Sequence, residues 1–174
     1  MKAEIAVMTA ENIDRDAIAR GGEILKKGGL VAFPTETVYG LGGNALDPKA
    51  SMKIYAAKGR PSDNPLIVHI ADIHDLDRIV TEVPEKARIL AEKYWPGPLT
   101  MILPKADIVP KETTGGLDSV AVRFPSDRIA QELILAAGAD PCGWRICGSA
   151  KCQYFRKTKS HHSRTCSGGP GKCH

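Results

Sequence analysis

The sequence predicts an α/β domain built on a twisted sheet of mixed parallel and antiparallel strands flanked by helices. Three observations lead there. Short apolar, β-branched runs alternate with stretches of helical periodicity, the pattern of a layered α/β architecture. Several connections are shorter than the roughly dozen residues that a parallel crossover requires, so some neighbouring strands must run antiparallel. A length of 174 residues with an apolar fraction of 43% suits one domain with a substantial core.

Taken in order, residues 2–10 (KAEIAVMTA) predict an edge strand. Residues 16–27 read as a helix with Ile18, Ile24 and Leu25 inward and Gly28 as its stop. Residues 30–33 form the next strand, followed by a PTETVYGLGGNA loop. Asp47 as N-cap and Pro48 at the first helical position open a helix over 48–58, whose apolar face is Ile54 and Tyr55; Gly59 and Pro61 end it. The run from Pro65 to Val68 predicts a strand over 66–70, buried on both faces. A short helical piece is expected over 73–80, and Pro84 opens a helix through Tyr94. WPGPLT turns into a strand over 100–103. Residues 104–118 carry Pro, Gly and Thr without periodicity and read as a surface loop. A strand over 119–124 follows, and Ser126 is expected to cap a helix reaching Ala137.

Charge and cysteine divide the chain at about residue 139. Of the 24 Lys and Arg, 17 lie within residues 1–140 together with all 20 Asp and Glu, which leaves that stretch at net −3 although the whole chain is +4. The five cysteines all fall at or beyond Cys142. The cysteine-free body suits a reducing compartment. No apolar run approaches the roughly 20 residues of a membrane span, and residues 1–14 lack a signal-peptide core, so a cytoplasmic protein without membrane contact is expected.

No Walker loop, GxGxxG, HExxH or GxSxG is present, so a nucleotide site must rest on side chains and strand-end amides. The stretch KGRPSDNPLIVHI supplies them. Lys58 offers a point charge, Arg60 a flat fork and Asn64 both donor and acceptor, a trio suited to an anionic ligand. The plainer alternative is that cations at a helix exit answer the helix dipole, at about 0.3 to 1 kcal/mol each. A second polar turn, PTETVYGLG, also follows an apolar run; Thr35 and Thr37 add hydroxyls, and Tyr39 a ring that serves either packing or stacking. Two such turns, each adjoining a buried strand, suggest one shared concave cleft. In SVAVRFP, alternation sets Val120 and Val122 on one face and Ser119, Ala121 and Arg123 on the other. Arg123 is then either an edge residue reaching solvent or the anchor for a carboxylate.

Together PTETVYGLG, KGRPSDNPLIVHI, WPGPLT and SVAVRFP resemble the YrdC-like threonylcarbamoyl-AMP synthases, over about residues 15–138. The resemblance implies a single-domain YrdC-like fold that condenses L-threonine, bicarbonate and ATP, with Mg2+ and no organic cofactor. Its product, threonylcarbamoyl-AMP, is handed to a partner complex that modifies adenosine 37 of tRNA. It implies further that Lys58, Arg60 and Asn64 hold the ATP phosphates, that Ser119 touches the nucleotide, and that Thr37, His69 and Arg123 hold the threonine. Lys58 and Arg60 would be the catalytic cations, stabilising charge at the α-phosphate and on departing pyrophosphate. His69 is a hydrogen-bonding orienter, a proton acceptor or simply structural. The alternative is an RNA-binding module without catalysis.

The resemblance places a catalytic domain over 1–138, incomplete at its end, and sets apart an atypical basic tail over 139–174. The family continues with a Ser-Ala-Asn-x-Ser-Gly motif that completes the nucleotide site, absent here. A change of reading frame accounts for this: one permitted coding of residues 151–157, read one base later, gives Ser-Ala-Asn-Ile-Ser-Gly. Gene sequence across Gly138 tests it. The cysteine spacings lack the CxxC pairs of common zinc modules, so no metal site is expected. An RNA-binding appendage is the remaining reading of the tail. Its sparse aliphatics predict disorder or poor packing, and its missing motif predicts weak or absent activity.

Overall fold

Asp14 starts the first helix, its carboxylate accepting from the Ala17 N–H at 2.9 Å, and α1 runs over Arg15–Lys26. The computed structural model describes residues 3–36, 38–138 and the backbone of 146–151. After α1 come β1 (Val31–Phe33), β2 (Gly40–Asn44), α2 (Pro48–Lys58) and β3 (Ile67–Ile70). A 3-10 turn (Ile73–Asp75) leads into α3 (Leu76–Ile79), then α4 (Glu85–Tyr94), β4 (Thr100–Pro104), α5 (Lys111–Thr114), β5 (Ser119–Arg123), α6 (Arg128–Ala137) and β6 (Ile146–Lys151). The mixed α/β class is as expected: six strands lie in the order β1-β2-β6-β3-β5-β4, with β3 and β5 parallel and every other pair antiparallel.

Strand alternation sorts the core onto the two faces of this sheet. Val68 and Ile70 of β3, Val120 and Val122 of β5, and Met101 and Leu103 of β4 pack with Leu76, Ile79, Ala87, Ala91 and Trp95. Each fully buried Val or Ile contributes about 1.5 to 3 kcal/mol relative to exposure. A second cluster joins Phe33 to Ile18 and Leu25 of α1 and to Ala130, Leu133 and Ile134 of α6. His69 meets Phe33 of that cluster edge to face, centroids 5.9 Å apart. The second face is therefore the one that carries His69 and, by register, Arg123.

Five sequence expectations are corrected. Residues 3–9 form no strand; Ile5 and Val7 are 49% and 81% exposed, and the segment is tied to α1 by an exposed Glu4–Arg20 ion pair at 3.1 Å. Ile24 lies outside the buried stripe of Ile18, Gly21, Gly22 and Leu25 and faces water. The 34–45 loop contains β2, whose three glycines read as a turn; Leu30, Ala50 and Ile54 crowd so close that a Cβ on Gly43 would stand 3.0 Å from Leu30 Cδ2. The 104–118 loop contains α5 and buries Val109, Thr113 and Thr114. Asp127, not Ser126, caps α6, accepting from the Ala130 N–H at 3.0 Å.

Backbone pairing carries the sheet past residue 139: β6 runs between β2 and β3, opposing Gly42 with Ser149 and Val68 with Gly148. Thr37 and the side chains of the tail, on which the zinc and RNA-appendage readings fall, lie outside the described residues. No described helix is long and apolar enough to cross a membrane.

Candidate functional site

The parallel ladder sets His69 of β3 opposite Arg123 of β5, and both are buried, at 2% and 4% exposure. Burial, reinforced by the Arg123 charge, holds the imidazole at about 4 against an opposing backbone hydrogen bond at Ile67 and the Glu36 charge. At neutral pH His69 is uncharged. Arg123 donates through Nε to the Gly97 carbonyl at 3.3 Å and through Nη2 to Glu36 Oε2. Glu36 Oε1 accepts from the backbone N–H of Ser126 and from its hydroxyl at 2.9 Å. Burial raises the Glu36 carboxyl, but the Ser126 bonds, its own N–H and Arg123 outweigh it and hold the group below its usual 4.5. Arg123 is thus buried rather than an edge residue reaching solvent, and the carboxylate it meets is the chain's own Glu36. Glu36 escaped the sequence reading, although a usable sign existed: a guanidinium ending an apolar strand needs a counter-ion, and Glu36 is the one acid in PTETVYGLG.

The upstream turn is supported from below. α2 ends at Gly59 in the left-handed region (φ 57°), whose N–H reaches the Ala56 carbonyl at 3.3 Å, and the Arg60 N–H reaches the Tyr55 carbonyl at 3.1 Å. Tyr55 lies beneath, 3% exposed; burial raises its hydroxyl's pKa, Arg60 opposes this and Asp63 adds to it. Lys58 and Arg60 are half-buried on this turn, and Asn64 is exposed. From the other side Gly115 (φ 62°) leaves no room for a Cβ, which would stand 2.8 Å from the Asp63 carbonyl oxygen, and Leu66 donates to the Thr113 carbonyl at 3.0 Å. Thr113 is itself anchored, giving its proton to the Ala45 carbonyl at 2.7 Å, so that Ser51 is the donor in their 2.8 Å hydroxyl pair.

Register decides what is brought together. Ser119 lies two residues before Ala121, the partner of Ile67, and so stands level with Pro65 beside the Asn64 turn. His69 and Arg123 stand together at the other end of the same two strands. Asn64 and His69 are five residues apart, at most ~18 Å along an extended chain. One end thus gathers cations and an amide, the other a guanidinium and a neutral imidazole. In the β1–β2 loop, Thr35 donates its hydroxyl to the Val38 carbonyl at 2.5 Å, and Tyr39 is 42% exposed.

The Sua5/YciO/YrdC family model, described as telomere recombination, matches residues 23–153. The chain is similar to the threonylcarbamoyl-AMP synthase of Pyrococcus abyssi, at 53% identity over 130 residues, covering 75% of this chain and 38% of that protein. It is similar to the threonylcarbamoyl-AMP synthase of Bacillus subtilis, also at 53%, over 70% of this chain and 35% of that one. Among solved structures, P. abyssi Sua5 complexed with L-threonine superposes with a TM-score of 0.78 at 48% identity, over 84% of this chain and 42% of that chain. The chain spans well under half the length of these relatives. The family match over most of the chain, together with this superposition, establishes that it belongs to the Sua5/YciO/YrdC family.

Proposed function

We propose that this chain carries the adenylate-forming domain of a threonylcarbamoyl-AMP synthase, which joins L-threonine, bicarbonate and ATP and releases pyrophosphate. The observation that carries the reading is the 53% identity to a protein of that name over 130 residues, and the family match over residues 23–153 takes in both polar turns. In the reaction, the threonine amine and bicarbonate give a carbamate with loss of water; a carbamate oxygen then bonds to the α-phosphorus as the bond to pyrophosphate breaks. Lys58, Arg60 and Asn64 take the phosphates, and Lys58 and Arg60 stabilise the charge that grows on the departing pyrophosphate. Ser119 touches the nucleotide. Arg123 takes the threonine carboxylate, and Thr37 and His69 bind the rest of the amino acid. An imidazole held at about 4 is a weak base at neutral pH, so His69 serves as a hydrogen-bonding orienter rather than the proton acceptor.

ATP enters as its magnesium complex. The product passes to a partner complex acting on adenosine 37 of tRNA, in the cytoplasm. The test is pyrophosphate release by this chain and by a version in which the family's Ser-Ala-Asn-x-Ser-Gly motif replaces residues 151–156. The expected result is release that requires both threonine and bicarbonate, strong in the restored version and weak here; release indifferent to threonine in the restored version overturns the reading. Any RNA retention that vanishes on removing residues 152–174, which lie beyond β6, belongs to the tail.

A further inference from the structure

Arg123 is 4% exposed, and a guanidinium so deeply buried requires a counter-ion at all times. In this structure a loop provides it. Glu36 sits midway between β1 and β2, and its two oxygens are taken by Arg123 Nη2 on one side and by the N–H and hydroxyl of Ser126 on the other. These three donors form a seat for one carboxylate. Nε of Arg123 is held separately by the Gly97 carbonyl at 3.3 Å, so the guanidinium keeps its aim when the carboxylate changes. The seat is open on one side: Ser126 is exposed, and 19% of the Glu36 side chain is in water.

We infer that Glu36 is a resident stand-in for the ligand's carboxylate, a gating side chain that fills the Arg123–Ser126 seat when it is empty and swings out when an α-amino acid enters. This rests on the reading that Arg123 receives the amino-acid carboxylate. Two carboxylates cannot occupy the seat together, because its donors are used up by one and their charges repel. The bonds that Glu36 gives up to Arg123 and Ser126 are those the ligand's carboxylate remakes, so exchange proceeds without leaving the buried cation bare. The gate lowers apparent affinity by the fraction of molecules in which it is open; a seat closed in about nine molecules of ten weakens binding about tenfold. A ligand without a carboxylate has nothing with which to displace Glu36.

The test is calorimetric titration of L-threonine and of L-threoninamide into the wild-type chain and the Glu36→Gln variant, with the nitrogen-15 resonance of Arg123 Nε followed during a parallel titration with acetate. Glu36→Ala takes the place of the glutamine variant if circular dichroism shows that the latter is unfolded. The expected result is L-threonine binding about five- to tenfold tighter in the variant, threoninamide binding unmoved, and Arg123 Nε responding to acetate at lower concentration than in wild type. A folded variant that binds L-threonine no better than wild type overturns the gate and leaves the functional reading standing. Acetate responding as expected while L-threonine binds neither chain keeps the gate and overturns the functional reading. An Arg123 resonance indifferent to acetate in both chains, with L-threonine binding neither, overturns both.

Discussion

His69 and Arg123 face each other across the parallel β3–β5 ladder, both almost wholly buried, the first neutral and the second charged. Acid should therefore unfold the protein partly through His69. An unfolded histidine titrates near 6.5, while the folded one is held at about 4. Between those values the unfolded chain binds a proton that the folded chain refuses. The stabilisation is complete above pH 6.5 and is lost as pH falls towards 4, a change on the order of 3 kcal/mol. Glu36, held below 4.5, adds a loss of the same sign at lower pH. Urea denaturation from pH 7.5 to 4 should show this slope in wild type and a slope about one proton shallower in His69→Gln; equal slopes would contradict it.

Arg123→Met should destabilise the fold by about 1 to 3 kcal/mol, less than the loss of a fully buried pair because 19% of the Glu36 side chain stays in water. Adding Glu36→Gln should recover part of that loss, since the stranded carboxylate is then gone. The coupling between the two substitutions, read from urea midpoints of the four chains, measures the pair. Additive losses would mean that the ion pair contributes nothing.

Thr113→Val keeps the shape of a buried side chain but leaves the Ala45 carbonyl without its donor and the Ser51 hydroxyl without its acceptor. The expected cost is about 1 to 3 kcal/mol, with Thr113→Ser retaining most of the stability. Thermal unfolding of the two variants distinguishes them. A valine variant as stable as wild type would show that the hydroxyl network is dispensable.

Gly59 and Gly115 both hold positive φ, at 57° and 62°, yet a Cβ on Gly59 meets nothing within 4 Å whereas one on Gly115 would stand 2.8 Å from the Asp63 carbonyl oxygen. Alanine at Gly59 should cost about 1 kcal/mol from backbone conformation alone. Alanine at Gly115 should cost more and should shift the amide resonances of residues 61–65, because the clash is with backbone. Equal losses at the two positions would mean that the α5 turn does not support the cationic one.

The sequence made some of this legible and hid the rest for physical reasons. α2 is found within the bounds that its Asp47 cap, Pro48 and Gly59 announce, because those three signals are local. Alternation in β5 was readable for the same reason. β2 was not, since GLGGN has neither β-branching nor alternation; its pairing with β1 and β6 makes it a strand, and Leu30, Ala50 and Ile54 lie close over Gly43. α5 hid because its Thr113 is satisfied by Ala45 and Ser51, over sixty residues away in sequence. Lys58, Arg60 and Asn64 share one turn and were read as a group. Glu36 and Ser126 were missed as partners because ninety residues separate them, and no local pattern reports such a contact.

β6 has a consequence for how the chain is made. It alone, among the described residues, stitches the β1–β2 hairpin to the β3–β5–β4 trio. During synthesis both portions emerge long before residues 146–151 leave the ribosome, each with a raw margin of unpaired amides and carbonyls, at Gly40–Asn44 and Ile67–Ile70. Such margins invite pairing with other nascent chains. A translation product halted before residue 146 would hold two part-sheets that cannot pair edge to edge, and should be far more prone to aggregate than one completed by a few more residues.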